Sequence, residues 1–225
     1  MGRKNDYFIL YTKSMADYLE INNKPYIVIE GYKDVIPQKI NNNTDKLIVT
    51  YAGSLAIKYG ILRLVDAMKF IDNSDIELHI YGTGDADEYI TKASTLDKRI
   101  KFFGLVSKEK ATNVLFDSSV LVNPRSSSDG EYVMYSFPSK DIDYLSTGIP
   151  SILCKLPGMP ESYYDFFIDA GNGTTEELAE CIMKVYRMSI EERIKFGQRA
   201  LDFITIQMDP INQANKIVEM IKTDL

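Results

Sequence analysis

Short apolar runs alternate along this chain with stretches in which apolar residues recur every three or four positions. That rhythm predicts a parallel sheet wrapped by helices. Strands are expected at 46–51, 77–81, 100–103, 120–123 and 150–153, with a weaker one at 166–169. Between the first two, Ile61, Leu64, Val65 and Met68 form the core stripe of a helix over 60–71. A later helix opens with Thr174, and Glu177 three residues on completes a capping box before Leu178, Ile182 and Val185 turn inward. The fold class that follows is α/β, a Rossmann-like parallel sheet with helices on both faces.

The two ends differ from this middle. Two strands, 8–12 and 26–30, flank a helix at 14–19, and the polar run 41–45 follows as a linker, so residues 1–45 read as the edge of another unit. Residues 46–205 form the main domain. From 190 onward the pattern is helical but broken near Pro210, and the last helix, 206–225, is expected to pack back toward the opening segment.

Composition narrows the function classes. A hydrophobic share of 45% and a charged share of 26% are those of an ordinary folded domain. With a formal charge of -6 the chain has no global attraction for nucleic acid, so an anionic ligand must be held by local positive groups. Two cysteines, Cys154 and Cys181, and a single histidine, His79, offer no metal-ligand spacing. The apolar run at 7–11 is too short for a signal peptide and Asp6 spoils a myristoylation motif, so a cytoplasmic location is expected.

The chemistry concentrates at 135–150. Ser136 as an N-cap and Pro138 in the first turn would open a helix whose free N–H groups suit phosphate, with Ser139 and Lys140 beside them. Asp143 shares a helical face with Lys140 and could grip hydroxyls. The competing reading is an ordinary exposed ion pair on a capped helix. Ligands of open parallel sheets sit beyond the carboxyl ends of the strands. There the chain places Gly53-Ser54-Leu55, Gly82-Thr83-Gly84, Gly104-Leu105-Val106 and a run from Pro124 and Arg125 through three serines to Asp129. Gly82 and Gly84 do not make a dinucleotide fingerprint, because Asp87 stands where the third glycine would fall. Lys58 lies close enough to the first exit to reach a diphosphate.

Together these elements resemble the C-terminal, nucleotide-sugar-binding half of retaining GT-B glycosyltransferases of the family 4 group. Gly53, Leu55, Lys58 and Gly60 resemble the family's G-x-L…K-G element, and Leu78 to Gly84 its L-x-I-x-G-x-G strand. Phe103, Gly104 and Val106 resemble the loop that contacts the nucleobase. Pro138-Ser139-Lys140, Asp143-Tyr144-Leu145 and Gly148-Ile149-Pro150 resemble the signature P-S-K-x-x-E-Y-L-A-x-G-x-P. The opening segment resembles the last strand–helix–strand of the acceptor-binding half, most of which is then missing and expected as a separate half or partner subunit.

The resemblance implies transfer of a sugar from a UDP-, GDP- or ADP-sugar to an acceptor hydroxyl, with no metal and no cofactor. The setting would be synthesis of cell-surface polysaccharide or glycolipid, at the inner face of a membrane reached through the missing half. Lys140, Arg125 and Lys58 would supply charge to the departing diphosphate, and Gly53, Ser54, Gly82, Gly84, Val106, Ser136, Ser139 and Asp143 would bind the donor. Two departures stand out. Asp143 replaces the glutamate that holds ribose, and Tyr135 occupies the position of the sugar-side glutamate, leaving Asp129 and Glu131 as substitutes. A nucleotide-sugar epimerase, disfavoured by the lone His79, and a non-catalytic nucleotide-sugar-binding subunit are the alternatives.

Overall fold

The computed structural model describes residues 7–33, 35 and 45–222. Most of the expected 41–45 linker lies outside them. The main body is a six-stranded sheet built from β3 (Leu47–Ala52), β4 (Ile76–Tyr81), β5 (Ile100–Gly104), β6 (Val120–Val122), β7 (Ser151–Leu153) and β8 (Ile168–Asp169). The spatial order is β5-β4-β3-β6-β7-β8, with every pair parallel. The chain builds outward from β3 on one side, then returns to build outward from β6 on the other. The boundary between β3 and β6 is therefore the switch point, where strand exits diverge and leave a crevice.

Strand periodicity assigns the core. Leu47, Val49 and Tyr51 of β3 and Ile76, Leu78 and Ile80 of β4 point to one face, where they meet α2 (Ile61–Ala67), α3 (Asp87–Leu96) and α6 (Thr175–Arg187). Leu121 and Leu153 point to the opposite face, packed with α5 (Ser139–Leu145) and α7 (Ile190–Gln207); Leu115 of α4 (Lys108–Phe116) belongs to the same cluster. Adjacent Val120, Val122 and Ile152 belong to the first face, so the sheet is buried on both sides, as expected of parallel strands. The capping box expected at Thr174 and Glu177 is formed, and a second one joins Ser189 to Glu192.

The opening segment makes its own two-stranded parallel sheet from β1 (Phe8–Leu10) and β2 (Tyr26–Val28), connected by α1 (Ser14–Tyr18). Phe8, Leu10, Ala16 and Ile21 are its small core. Pro210 begins α8 (Pro210–Lys222), which lies against β2, and the Asp209 carboxylate accepts the Asn212 amide at 2.7 Å to cap it. The pattern break thus marks a restart: proline fits the first turn, where its absent N–H is not needed. Among the described residues no helix is long and apolar enough to cross a membrane.

One local expectation fails. Ser136 does not cap α5; Pro138 occupies that position in an extended conformation (φ -67°, ψ 122°), with no side-chain acceptor for the first amides. Phe137 is buried in the α5–α7 core, which fixes the approach of the chain and delays the helix start to Ser139. The Ser136 hydroxyl instead lies 3.4 Å from Nη2 of Arg125.

Candidate ligand cleft at the switch point

Two adjoining hollows open beyond the carboxyl ends of β3 and β4. The larger, about 660 Å³, is walled by Gly53, Ser139, Lys140 and Asp143 together with Lys33 and Lys108. The smaller, about 320 Å³, is walled by Gly53, Ser54, Tyr81, Gly82, Leu105 and Val106. Ala52, Gly53 and Ala111 belong to both, so the two form one continuous cleft. Seven of the sequence-predicted residues meet there: Gly53, Ser54, Gly82, Val106, Ser139, Lys140 and Asp143. Among the described residues, Arg125, Lys58, Ser136, Gly84, Asp129 and Glu131 line neither hollow.

Lys140 turns inward from α5. Its ammonium stands 3.6 Å from the centre of the Tyr51 ring, a cation–π contact, and it forms no ion pair with any described residue. Burial lowers its pKa to about 7, with nearby Asp141 opposing the shift and Arg125 adding to it. Gly53 makes room: its φ of 146° suits glycine, and a Cβ there would come within 2.6 Å of the lysine nitrogen. Tyr51 is held in place by its hydroxyl, which donates to the Ser54 carbonyl at 2.6 Å.

Asp141 lies directly behind. It is 1% exposed and accepts a 2.6 Å hydrogen bond from Asn123 Nδ2. Burial pushes its carboxyl up to about 7, against the pull of that bond and of Lys140 and Arg125. The next carboxylate on the helix, Asp143, is exposed and pairs with Lys33, which reaches across from the end of the opening segment at 2.6 Å. The Lys140–Asp143 ion pair weighed from spacing does not form: Lys140 lies against the Tyr51 ring, and Asp143 pairs with Lys33.

Arg125 lies against the rings of Tyr59, 5.0 Å away, and Tyr132, 4.6 Å away, which meet each other edge to face. Its buried Nε has no hydrogen-bond partner. Exposed Lys58 sits 5.3 Å from the Tyr59 ring, and its carbonyl accepts the Tyr132 hydroxyl, so Lys58, Tyr59, Arg125 and Tyr132 form one group. Asp129 is not a free carboxylate: it pairs with Arg63 at 2.9 Å and accepts the Ser126 amide at 2.8 Å. Glu131 is exposed on a short 3-10 turn, Glu131–Met134.

The glycines of the second exit serve the scaffold. Cβ atoms at Gly82 and Gly84 would collide with the carbonyls of Gly53 and Leu55, respectively, so these glycines let neighbouring exits stack. Asp87, in place of the third fingerprint glycine, accepts the Gly84 amide at 2.9 Å and the Thr83 hydroxyl at 2.7 Å. His79 is a strand residue 3.0 Å from Glu77 and edge-on to Phe103. Tyr135 stacks at a tilt on Tyr18 with ring centres 4.6 Å apart, and its carbonyl accepts the Thr12 hydroxyl.

Sequence reasoning missed Asp141, Asn123, Arg63, Tyr51, Tyr59, Tyr132 and Lys33. Asp141 alone carried a signal, since a carboxylate inside an otherwise apolar helical face is out of place; the others owe their positions to long-range packing.

Comparison with known proteins follows the same lines. Residues 46–188 match the family described as glycosyl transferases group 1. No curated protein is matched by the sequence. Among solved structures, Anabaena Alr3699/HepE in complex with UDP superposes with a TM-score of 0.78 at 14% identity, covering 97% of this chain and 64% of that one. Sucrose-phosphate synthase from Thermosynechococcus elongatus gives 0.75 at 18% identity, covering 97% and 58%. TarM from S. aureus gives 0.75 at 16% identity, covering 96% and 43%. At these identities the likeness is one of fold, and the chain spans less than two thirds of each protein's length.

Proposed function

Because the chain belongs to the glycosyl transferases group 1 family, we propose that it is the nucleotide-sugar-binding part of a retaining, metal-independent glycosyltransferase. The observation that carries this is Lys140: a half-buried cation with an aromatic face but no ion pair among the described residues, set in the wall of a cleft at the switch point. Such a group is an electrostatic vacancy for phosphate oxygens. The HepE complex contains UDP, which agrees with a nucleoside diphosphate as guest.

In this reading the diphosphate lies against Lys140 and Gly53, Arg125 and Lys58 add positive potential from the Tyr59–Tyr132 group, and the base enters the smaller hollow beside Leu105 and Val106. Asp143 takes the ribose hydroxyls, sharing them with or releasing Lys33. Catalysis would be largely electrostatic: preorganised cations stabilise the charge that develops on the leaving diphosphate, and a phosphate oxygen assists the incoming acceptor hydroxyl on the same face. The acceptor would be a hydroxyl of a growing polysaccharide or glycolipid, held by a further body on the side of β1 and β2, itself at a membrane surface.

Isothermal titration with UDP, GDP and ADP tests the binding reading. One of them is expected to bind, and Lys140→Met is expected to weaken it by about tenfold or more, the size of a lost charge-assisted contact. Equal affinity in the variant, or no binding of all three, would sink it. A second reading, binding without transfer, draws on Tyr135: this residue packs against Tyr18 where the resemblance expects a carboxylate. Single-turnover assay of the nucleotide sugar with a hydroxyl acceptor and the completing body separates the two. Binding with no transfer would leave only the second.

A further inference from the structure

One ion pair stands between the larger hollow and a third one beside the opening segment. That third hollow, about 500 Å³, is walled by Leu10, Ile29, Tyr32 and Ile217, and Lys33, Ser139 and Asp143 belong to both. Lys33 Nζ donates to Oδ1 of Asp143 at 2.6 Å, while Oδ2 of the same carboxylate has no partner among the described residues. The backbone, and not this bond alone, places the lysine. Its amide donates at 2.9 Å to the carbonyl of Met208, a fully buried residue at the end of α7. Two residues earlier, Gly31 lies so close to α5 that a Cβ would come within 3.1 Å of Ile142. These contacts hold Lys33 beside the turn of α5 that carries Asp143.

The charges around the hollow give the pair its meaning. Its described lining carries three cations, Lys33, Lys108 and Lys140, and a single carboxylate, Asp143. Unpaired, that carboxylate would repel the diphosphate that the hollow is proposed to take. Paired, it adds no net charge and still offers Oδ2 as an acceptor, and the ammonium has further N–H groups to give. An exposed aspartate also rotates freely, so a neighbour that fixes it removes part of the ordering cost of binding. We propose that Lys33 is a positioning residue for the ribose end of the donor: it stays on Oδ1 of Asp143 in the complex, holding Oδ2 for the ribose hydroxyls and cancelling the carboxylate's charge. The inference rests on the reading of Asp143 as the ribose ligand. Its signature is hydroxyl recognition, which a cation acting on phosphate through its field alone does not alter.

Isothermal titration of the whole chain with UDP, GDP and ADP, each against its dideoxy counterpart lacking both ribose hydroxyls, measures how strongly those hydroxyls count. Wild type is expected to favour the ribose form of the nucleotide it binds by about tenfold, the size of hydrogen bonding to a charged group. In Lys33→Met the preference is expected to fall to about threefold or less, and in Lys33→Arg, which keeps the charge and the donors, to stay within about twofold of wild type. Asp143→Ala should abolish it, and adding Lys33→Met to that variant should change it no further. Because each preference is a ratio measured on one protein, a change in folded fraction cancels from it. Lys33→Met with the wild-type preference, an equal loss of affinity for both nucleotide forms, or tighter binding on removal of a competing ammonium would each overturn the proposal. The outcomes also separate it from the reading beneath it. A wild type that binds no nucleoside diphosphate, or binds both forms equally, removes the ribose role of Asp143 and this inference with it, whereas a preference that is lost in Asp143→Ala but survives in Lys33→Met leaves that role standing and removes Lys33 alone.

Discussion

Arg63 and Lys140 are both basic residues brought to the exits of β3 and β6, and they are treated in opposite ways. Arg63 is tied in: its guanidinium pairs with Asp129 and donates to the Pro124 carbonyl at 2.9 Å, while its buried Nε has no hydrogen-bond partner. Lys140 has the face of Tyr51 and a long-range pull from Asp141, but no carboxylate in contact. The first arrangement ties a loop to the sheet. The second keeps a charge available. A cation completed inside the protein supports structure, and one left without a carboxylate at a cleft wall is, in the proposed reading, held for a guest.

The sharpest way to break that comparison is to remove the partner from the completed pair. Asp129→Ala leaves Arg63 with an uncompensated charge and releases the Ser126 amide, and is expected to destabilise the fold by about 3 kcal/mol. Chemical denaturation measures this; a loss under about 1 kcal/mol would mean that the pair is no tie at all. Next in size is Lys140→Met, where the expected loss is in ligand affinity, about 1.5 to 3 kcal/mol for a nucleoside diphosphate, with stability held or improved because a half-buried charge is gone. If stability dropped and affinity did not, the roles assigned to the two cations would have to be exchanged.

What could be read before the structure follows the same division. The six strands of the main sheet were legible because parallel strands buried on both faces are continuous apolar runs, and the helix cap at Thr174 and the break near Pro210 were legible as local patterns. Lys140 and Asp143 were singled out because they sit in one short stretch whose residue types are unusual, and both line the cleft. The assignment of Ser136 as a cap failed because Phe137 needs a place in the core, a demand set by α7 some sixty residues later in the chain. The group around Arg125 was invisible for a related reason: Tyr59 and Tyr132 reach it from separate loops, and no spacing rule connects positions 59, 125 and 132. Asp129 shows the limit of reading residue types alone, since a carboxylate in a serine-rich loop looks like a sugar ligand until Arg63 is found against it.

A smaller effect sharpens the same comparison through pH. Asp141 has its carboxyl raised by burial from the ordinary 3.8 to about 7, so the native state binds its proton more tightly than the unfolded chain does. Wild-type stability should therefore decline as pH rises from about 4 to about 7 on account of this group, then level off. Asp141→Asn removes the decline: the variant is expected to gain stability relative to wild type as pH rises from about 4 to about 7, with the gain vanishing below about pH 4. Thermal melts at acid and mildly alkaline pH would show it, and a constant difference between the two proteins at all pH values would refute it.

The smallest expected effect concerns the two kinds of hydroxyl at helix starts. Thr174 accepts the Glu177 amide and completes a capping box, so Thr174→Ala should cost about 1 kcal/mol. Ser136 caps nothing; its hydroxyl stands 3.4 Å from Arg125, itself held by two tyrosine rings, so Ser136→Ala should change stability by less than about 0.5 kcal/mol. Its effect should appear instead, if the region serves an anion, as a modest loss in ligand affinity that is larger at low salt, because the hydroxyl helps to aim a guanidinium whose action is through its field. A Ser136→Ala protein destabilised as much as Thr174→Ala would show that the hydroxyl supports the start of α5 after all, and would move Ser136 from the side of Lys140 to the side of Arg63.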